Sequence, residues 1–134
     1  MTKSLEDYLE EIHVLIQDRG SARVRDVALA LHVKMPSVVK AISELKKLGL
    51  ASQEPYGNIE LTAEGARVAA QVLGRHTRIK AFLVKLGVSE ANAEKDACLM
   101  EHILSAETMD KIRDFLKKGP PNASSAKANV SEPA

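Results

Sequence analysis

Apolar residues recur at helical spacing through most of the chain. Leu5, Tyr8, Leu9, Ile12, Leu15 and Ile16 form one stripe, which predicts an amphipathic helix over residues 4–18. Ser4 is placed to cap its start, Glu6 and Asp7 suit the first turn, and Gly20 ends it. Val27, Ala28 and Leu31 mark a short second helix over 24–31, followed by a break at His32-Val33-Lys34. A third helix over 35–48 has Pro36 and Ser37 near its start, Val38, Val39, Ile42, Leu45 and Leu48 as its buried side, and Gly49 as its stop. Two short extended runs, 51–54 and 58–62, flank Pro55-Tyr56-Gly57 and read as a β-hairpin. Thr62 caps a long helix reaching about residue 86, where Gly87 stops it. Ser89 starts another to about residue 104, and Ser105 a last one to about residue 117. From Gly119 the periodicity is lost in favour of Pro, Ser, Ala and Asn, which predicts a disordered tail over 119–134.

Composition sharpens this picture. Of 134 residues, 45% are apolar but only 3% aromatic, so the core rests on Leu, Ile, Val and Ala and the fold class is mainly α. No apolar run is long enough to span a bilayer, and Met1-Thr2-Lys3-Ser4 does not open a signal peptide. A single Cys allows no disulfide within the chain, in keeping with a cytoplasmic setting. The net charge of +1 hides an asymmetry. Residues 1–19 carry Lys3 and Arg19 against Glu6, Asp7, Glu10, Glu11 and Asp18. Residues 20–50 carry Arg23, Arg25, Lys34, Lys40, Lys46 and Lys47 against Asp26 and Glu44. For a polyanionic partner the local charge decides.

Helix, turn, basic helix and Gly-containing hairpin is the order of a winged helix-turn-helix, whose second helix of the pair enters the major groove of double-stranded DNA. Ser37 and Lys40 on that helix can reach base edges or phosphates, whereas Arg23, Arg25, Lys46 and Lys47 suit phosphate contacts. Tyr56 and Asn58, at the hairpin tip, can follow the backbone or the minor groove. Each basic residue alone reads as a solvated helix face; the ordered set favours DNA.

A second constellation is Cys98-Leu99-Met100-Glu101-His102. On a helix, positions 98, 101 and 102 share a face, which gathers a thiol, a carboxylate and an imidazole. The long helix adds His76, and the first helix adds Asp7 and Glu10, three residues apart. Such a mix suits a divalent transition metal. Taken one by one, these are also a small buried hydrophobe, part of a basic surface, and acids favouring a helix N-terminus.

The segment from Ala97 to Ser105, with Cys98, Glu101 and His102, resembles the metal-binding segment of the diphtheria toxin repressor family of metal-dependent regulators. Glu6-Asp7-Tyr8-Leu9-Glu10-Glu11-Ile12, Ala22-Arg23-Val24-Arg25-Asp26-Val27-Ala28, Pro36-Ser37-Val38-Val39-Lys40, Leu61-Thr62-Ala63-Glu64-Gly65 and Arg75-His76 look like its two-domain manganese transport regulator branch. The resemblance covers about residues 4–117. It implies a winged helix-turn-helix DNA-binding domain over 1–62, a helical metal-binding and dimerisation domain over 63–118, and a homodimer. It also implies Asp7, Glu10, His76, Cys98, Glu101 and His102 as metal ligands. Two positions depart from the family pattern. The manganese branch has a carboxylate where Cys98 stands, and the iron branch usually a Met where Asp7 stands. The thiolate favours Fe²⁺, Co²⁺, Ni²⁺ or Zn²⁺, and the carboxylates favour harder ions. In the iron branch's ancillary site an acid stands at the position of Lys80 and a His at that of Glu94.

The resulting expectation is a repressor that binds a palindromic operator when a divalent metal, Mn²⁺ or Fe²⁺ with Co²⁺, Ni²⁺ or Zn²⁺ as substitutes, fixes the dimer, and that controls metal-uptake genes. No membrane or small organic substrate is expected. Enzymatic activity is not expected, because the motif offers no separate nucleophile and its polar groups are taken up as ligands. The alternatives are a winged-helix regulator with Cys98 as a redox switch and no metal response, a metalloenzyme, and a protein-interaction module.

Overall fold

The computed structural model of the chain describes residues 1–54 and 57–120. Pro55 and Tyr56 lie outside the described residues, so the expected contact of Tyr56 does too, as does the tail beyond Pro120. The described elements are α1 (Lys3–Arg19), α2 (Val24–Leu31), α3 (Met35–Lys47), β1 (Ala51–Gln53), β2 (Ile59–Leu61), α4 (Ala63–Lys85), α5 (Glu90–Met100) and α6 (Ala106–Lys118). The mainly α class and the helix, turn, helix, hairpin order are as the periodicity predicts. The chain divides into two compact units, Met1–Leu73 and Gly74–Ala134. No helix among the described residues is long and apolar enough to cross a membrane.

In the first unit, α1, α2 and α3 pack around Leu9, Ile12, Val27, Val38 and Leu45, all fully buried. The start of α1 differs from expectation. Thr2, not Ser4, is the cap: its hydroxyl accepts from the Leu5 amide at 3.1 Å. Both residues can cap, and an extended backbone at position 2 adds one turn to the helix. His32 ends α2 in the left-handed region at φ 57°, and its amide and that of Val33 both return to the Ala28 carbonyl. That tight reversal sends the chain directly into α3, which opens on Pro36 in its first turn.

β1 and β2 pair antiparallel, with Ala51 opposite Leu61 and Gln53 opposite Ile59. Ile59 also donates to the Ala22 carbonyl at 2.7 Å, so the segment before α2 extends the small sheet by one bridge. The hairpin is tied to the start of α4 from both sides. The Thr62 hydroxyl donates to the Gly49 carbonyl at 2.7 Å and accepts from the Gly65 amide at 3.0 Å. The Thr62 amide donates to the Leu50 carbonyl at 3.1 Å. Gly65 makes this approach possible: a Cβ there would overlap the Leu50 carbonyl oxygen and stand 2.8 Å from its carbon.

In the second unit, Ile79, Leu83, Ala93, Ala97, Met109 and Ile112 form the core, with Phe82 and Phe115 packed edge to face at 5.2 Å. The serine caps of α5 and α6 are as expected, with Ser89 accepting from Asn92 and Ser105 from Thr108. The end of α5 is not. The helix stops at Met100 rather than near residue 104, and residues 101–103 form a turn. The amides of His102 and Ile103 reach only three residues back, to the Leu99 and Met100 carbonyls. Ser105 must take an extended backbone, ψ 163°, to cap α6, so the chain has to leave the α5 spiral first.

Candidate metal centre and nucleic-acid interface

The basic face of the first unit is built from the exposed sides of α2 and α3. Val38, Ala41, Ile42 and Leu45 commit one face of α3 to the core, which leaves Ser37, Lys40, Lys46 and Lys47 exposed. Arg23 and Arg25 are exposed as well. Six of the seven residues expected to meet DNA are thus on the surface of one unit, and Tyr56 is outside the described residues. Two details go beyond the sequence reading. Arg23 Nε donates to the Asn58 side-chain oxygen at 3.2 Å, so Asn58, expected to reach outward at the wing tip, holds the wing to the start of α2. The backbone of Arg23 is fixed in turn, its amide donating to Asp26 at 3.2 Å. This couples wing placement to a residue on the basic face.

Of the expected metal ligands, Asp7 and Glu10 lie on α1 in the first unit, both half-buried. Asp7 forms an ion pair with Lys3 at 2.9 Å. The other four belong to the second unit, where His76 is the hub. Its Nδ1 lies 2.9 Å from a Glu101 oxygen and its Nε2 3.0 Å from a Glu94 oxygen. Cys98 Sγ stands 3.8 Å from the same Glu94 oxygen.

The early end of α5 changes the grouping expected from spacing. Cys98 sits in the last turn of the helix and is exposed; Glu101 is the C-cap and only 2% exposed; His102 follows in the turn, half-buried. The three therefore do not share one helix face. The imidazole of His76 stands between Glu94 and Cys98 on one side and Glu101 on the other. Glu94, placed in the sequence only at the position of a second-site His, is the residue that joins His76 to Cys98. Its signal was its spacing, four residues before Cys98 on one helix. Arg75 was also missed: its Nε donates to the Glu101 carbonyl at 3.0 Å and pins the turn that carries Glu101 and His102.

The electrostatics follow from this geometry. Burial alone would lower the pKa of His76, but hydrogen bonds and charge from Glu94 and Glu101 outweigh it and raise the value above its ordinary 6.5. Partial burial of Glu94 would raise its pKa, yet His76 and Lys80 together lower it. Lys80 Nζ lies 3.2 Å from the second Glu94 oxygen and 3.9 Å from Glu90. Ammonium and imidazole thus neutralise carboxylates that a cation could also neutralise.

The donor set fits a divalent transition ion. One ligand atom each from His76, Glu94 and Cys98 fall within 4.8 Å of one another. Ligands at about 2.0–2.3 Å from a metal are themselves about 3–4 Å apart, so small side-chain adjustments suffice. The hydrogen bond from His76 to Glu101 also fits, since a metal-binding imidazole is commonly oriented by a carboxylate on its other nitrogen.

Comparison with known proteins matches both halves of the chain. Residues 1–59 match the N-terminal DNA binding domain of the iron dependent repressors, and residues 62–120 match their metal binding and dimerisation domain. The chain is 39% identical over 116 residues to the HTH-type transcriptional regulator MntR of Geobacillus kaustophilus, covering 87% of this chain and 82% of that one. It is 37% identical over 120 residues to an uncharacterised HTH-type transcriptional regulator of Methanocaldococcus jannaschii, covering 88% and 96%. The solved structure of a manganese-dependent transcriptional repressor in complex with manganese matches with a TM-score of 0.75 and 27% identity over 87% of this chain. This chain spans about half of that protein's length, 53%. With a DNA-binding half and a metal-binding half both matched in order, the chain belongs to the diphtheria toxin repressor family of metal-dependent transcriptional repressors.

Proposed function

We propose that the protein is a cytoplasmic homodimer that binds a palindromic operator when loaded with a divalent transition metal, and so represses metal-uptake genes. The proposed domains are 1–62 for DNA and 63–118 for metal and dimerisation. Asp7, Glu10, His76, Cys98, Glu101 and His102 are the proposed ligands, with Glu94 as a further donor. Arg23, Arg25, Ser37, Lys40, Lys46, Lys47 and Tyr56 are the proposed DNA contacts. The observation that carries the reading is the His76 imidazole held between two carboxylates with a thiol alongside, in a family whose matching domain binds metal. The carboxylates suit Mn²⁺ and Fe²⁺, and the Cys98 thiolate admits Co²⁺, Ni²⁺ and Zn²⁺. Metal binding that restricts the DNA-binding heads removes arrangements that cannot span one turn of DNA, roughly 34 Å, and raises apparent operator affinity. No catalytic turnover is part of this role.

The test is titration of the metal-free protein with Mn²⁺, Fe²⁺, Co²⁺ and Zn²⁺, read by stoichiometry and by retardation of DNA from its own promoter region. Glu101→Ala and His102→Ala should abolish the metal enhancement and leave a folded dimer. Equal operator affinity with and without metal would refute the mechanism. The exposure of Cys98 favours one second reading, a thiol switch. Under it a thiol oxidant alters DNA binding and metal does not.

A further inference from the structure

Four large apolar side chains are exposed on α2 and along α3, namely Leu29, Met35, Val39 and Leu48, and core packing explains none of them; two stand together at the start of α3. Met35 is 49% exposed and Val39 55% exposed, although both are large and apolar. Scattered apolar side chains on a surface are ordinary, but these two are four residues apart on one helix and so sit on one face. Their helix has already satisfied the core through Val38, Ala41, Ile42 and Leu45. Val39 was expected on the buried side with Val38, and the structure turns it out. It emerges beside Lys40, with Lys34 and Ser37 also exposed. These residues fill the first turns of α3, and in a helix-turn-helix the N-terminal residues of the second helix meet the base edges.

An apolar side chain in a major groove has one apolar target among the base edges, the 5-methyl group of thymine. A β-branched residue suits that task because a helix leaves it one strongly preferred rotamer, so its methyls are presented already ordered. The flanking lysines supply attraction to phosphate, which holds the helix in the groove without specifying sequence.

We propose that Val39, with Met35 behind it, reads thymine methyl groups in each operator half-site and is a specificity determinant. This inference rests on the proposed DNA-binding role. Burying one methyl is worth about a four-fold change in affinity.

The experiment uses the full-length, Mn²⁺-loaded protein and a duplex that it selects from a random DNA pool. That duplex is then prepared with thymine or with uracil, which lacks only the methyl, at each T in turn. Uracil should weaken wild-type binding about four-fold or more at one or two positions in each half-site. Val39→Ala should lose the sensitivity at one such position, so that thymine and uracil duplexes bind it alike, with metal stoichiometry unchanged. Met35→Ala should act in the same way at a neighbouring position. Both replacements are at exposed helical sites where alanine is well tolerated, so folding is preserved. A wild type indifferent to uracil everywhere overturns the inference alone, as does Val39→Ala that keeps the full uracil penalty. Recovery of no sequence from the pool overturns the DNA-binding reading, and this inference with it.

Discussion

Replacing Gly65 by alanine should break the junction between the wing and α4, and the size of the effect can be worked from the geometry. A Cβ at this position overlaps the Leu50 carbonyl oxygen and lies 2.8 Å from its carbon and 3.2 Å from its Cα. All three are backbone atoms, so no rotamer change relieves the contact; the hairpin and the helix must separate. Overpacking of this kind costs up to about 3 kcal/mol. Separation also lengthens the Thr62 amide bond to the Leu50 carbonyl, worth about 1 kcal/mol. Against this, alanine is favoured over glycine within a helix by about 1 kcal/mol. The net loss is about 3 kcal/mol, or a fall in Tm on the order of 10 °C for a unit of this size. Gly74 is the internal control. It lies in the same helix, but a Cβ there meets only the flexible tip of Arg78 at 3.5 Å. Gly74→Ala should therefore gain about 1 kcal/mol from helix propensity alone. Thermal unfolding by circular dichroism, with operator retardation measured below both transitions, reads the pair. A Gly65→Ala protein as stable as the wild type would refute the close-approach argument, because propensity alone predicts the same sign at both positions.

Lys80→Ala should tighten metal binding by several-fold in calorimetry, since it removes a cation 3.2 Å from a Glu94 oxygen; unchanged or weaker binding would count against Glu94 as a donor. Metal affinity should fall as pH drops, and the fall should begin above the ordinary His value of 6.5, because the raised pKa of His76 lets its proton compete with metal at higher pH. For the metal-free protein the sign at His76 runs the other way. The His76 contribution to stability is complete below 6.5 and fades as pH rises through the raised folded value. That of Glu94 is present above 4.5 and fades as pH falls through its lowered value. Urea melts carried from well below pH 4.5 up to the alkaline side of 6.5 should show both trends. Asn58→Ala should weaken DNA binding several-fold in retardation assays with little change in Tm, by releasing the wing from Arg23. Ile103→Asp, at a side chain 76% exposed, should shift the protein toward monomer in sedimentation if this surface lies at the dimer contact.

Much of the fold is written locally. Thr62, Ser89 and Ser105 each announce a helix by a side chain able to accept from an amide three residues on, and each does so. Where two such residues compete, local chemistry does not choose, as Thr2 and Ser4 show. The end of α5 was hidden because Leu99, Ile103 and Leu104 continue an apolar rhythm past the true stop. Periodicity reports hydrophobicity, not which residues are buried, and Ile103 is among the most exposed. The same limit applies to the apolar residues of the second unit. Ile79, Leu83 and Ile112 turn out to be intrachain core, while Leu86, Leu99 and Ile103 are exposed. At the proposed metal centre, residue types and spacing pointed to His76, Cys98 and Glu101. They were not enough to show that Glu94 links two of them, since that link crosses from α5 to α4 and depends on packing.

The stop of α5 at Met100 also distributes the proposed donors over backbone of unequal stiffness. His76 is held in the middle of a long helix, Cys98 and Glu94 on the final turns of a short one, and Glu101 and His102 on the turn that follows. The His102 and Ile103 amides reach only three residues back, a looser tether than a helix interior, whereas Glu101 keeps its bond to the Ala97 carbonyl and is pinned by Arg75. Of the proposed donors, His102 is the one held loosely enough to shift with ions of different size and preferred coordination, while the others keep their places. Under the proposed function, substitutions beside His102 are accordingly a route by which the preferred ion can be retuned without disturbing the helices.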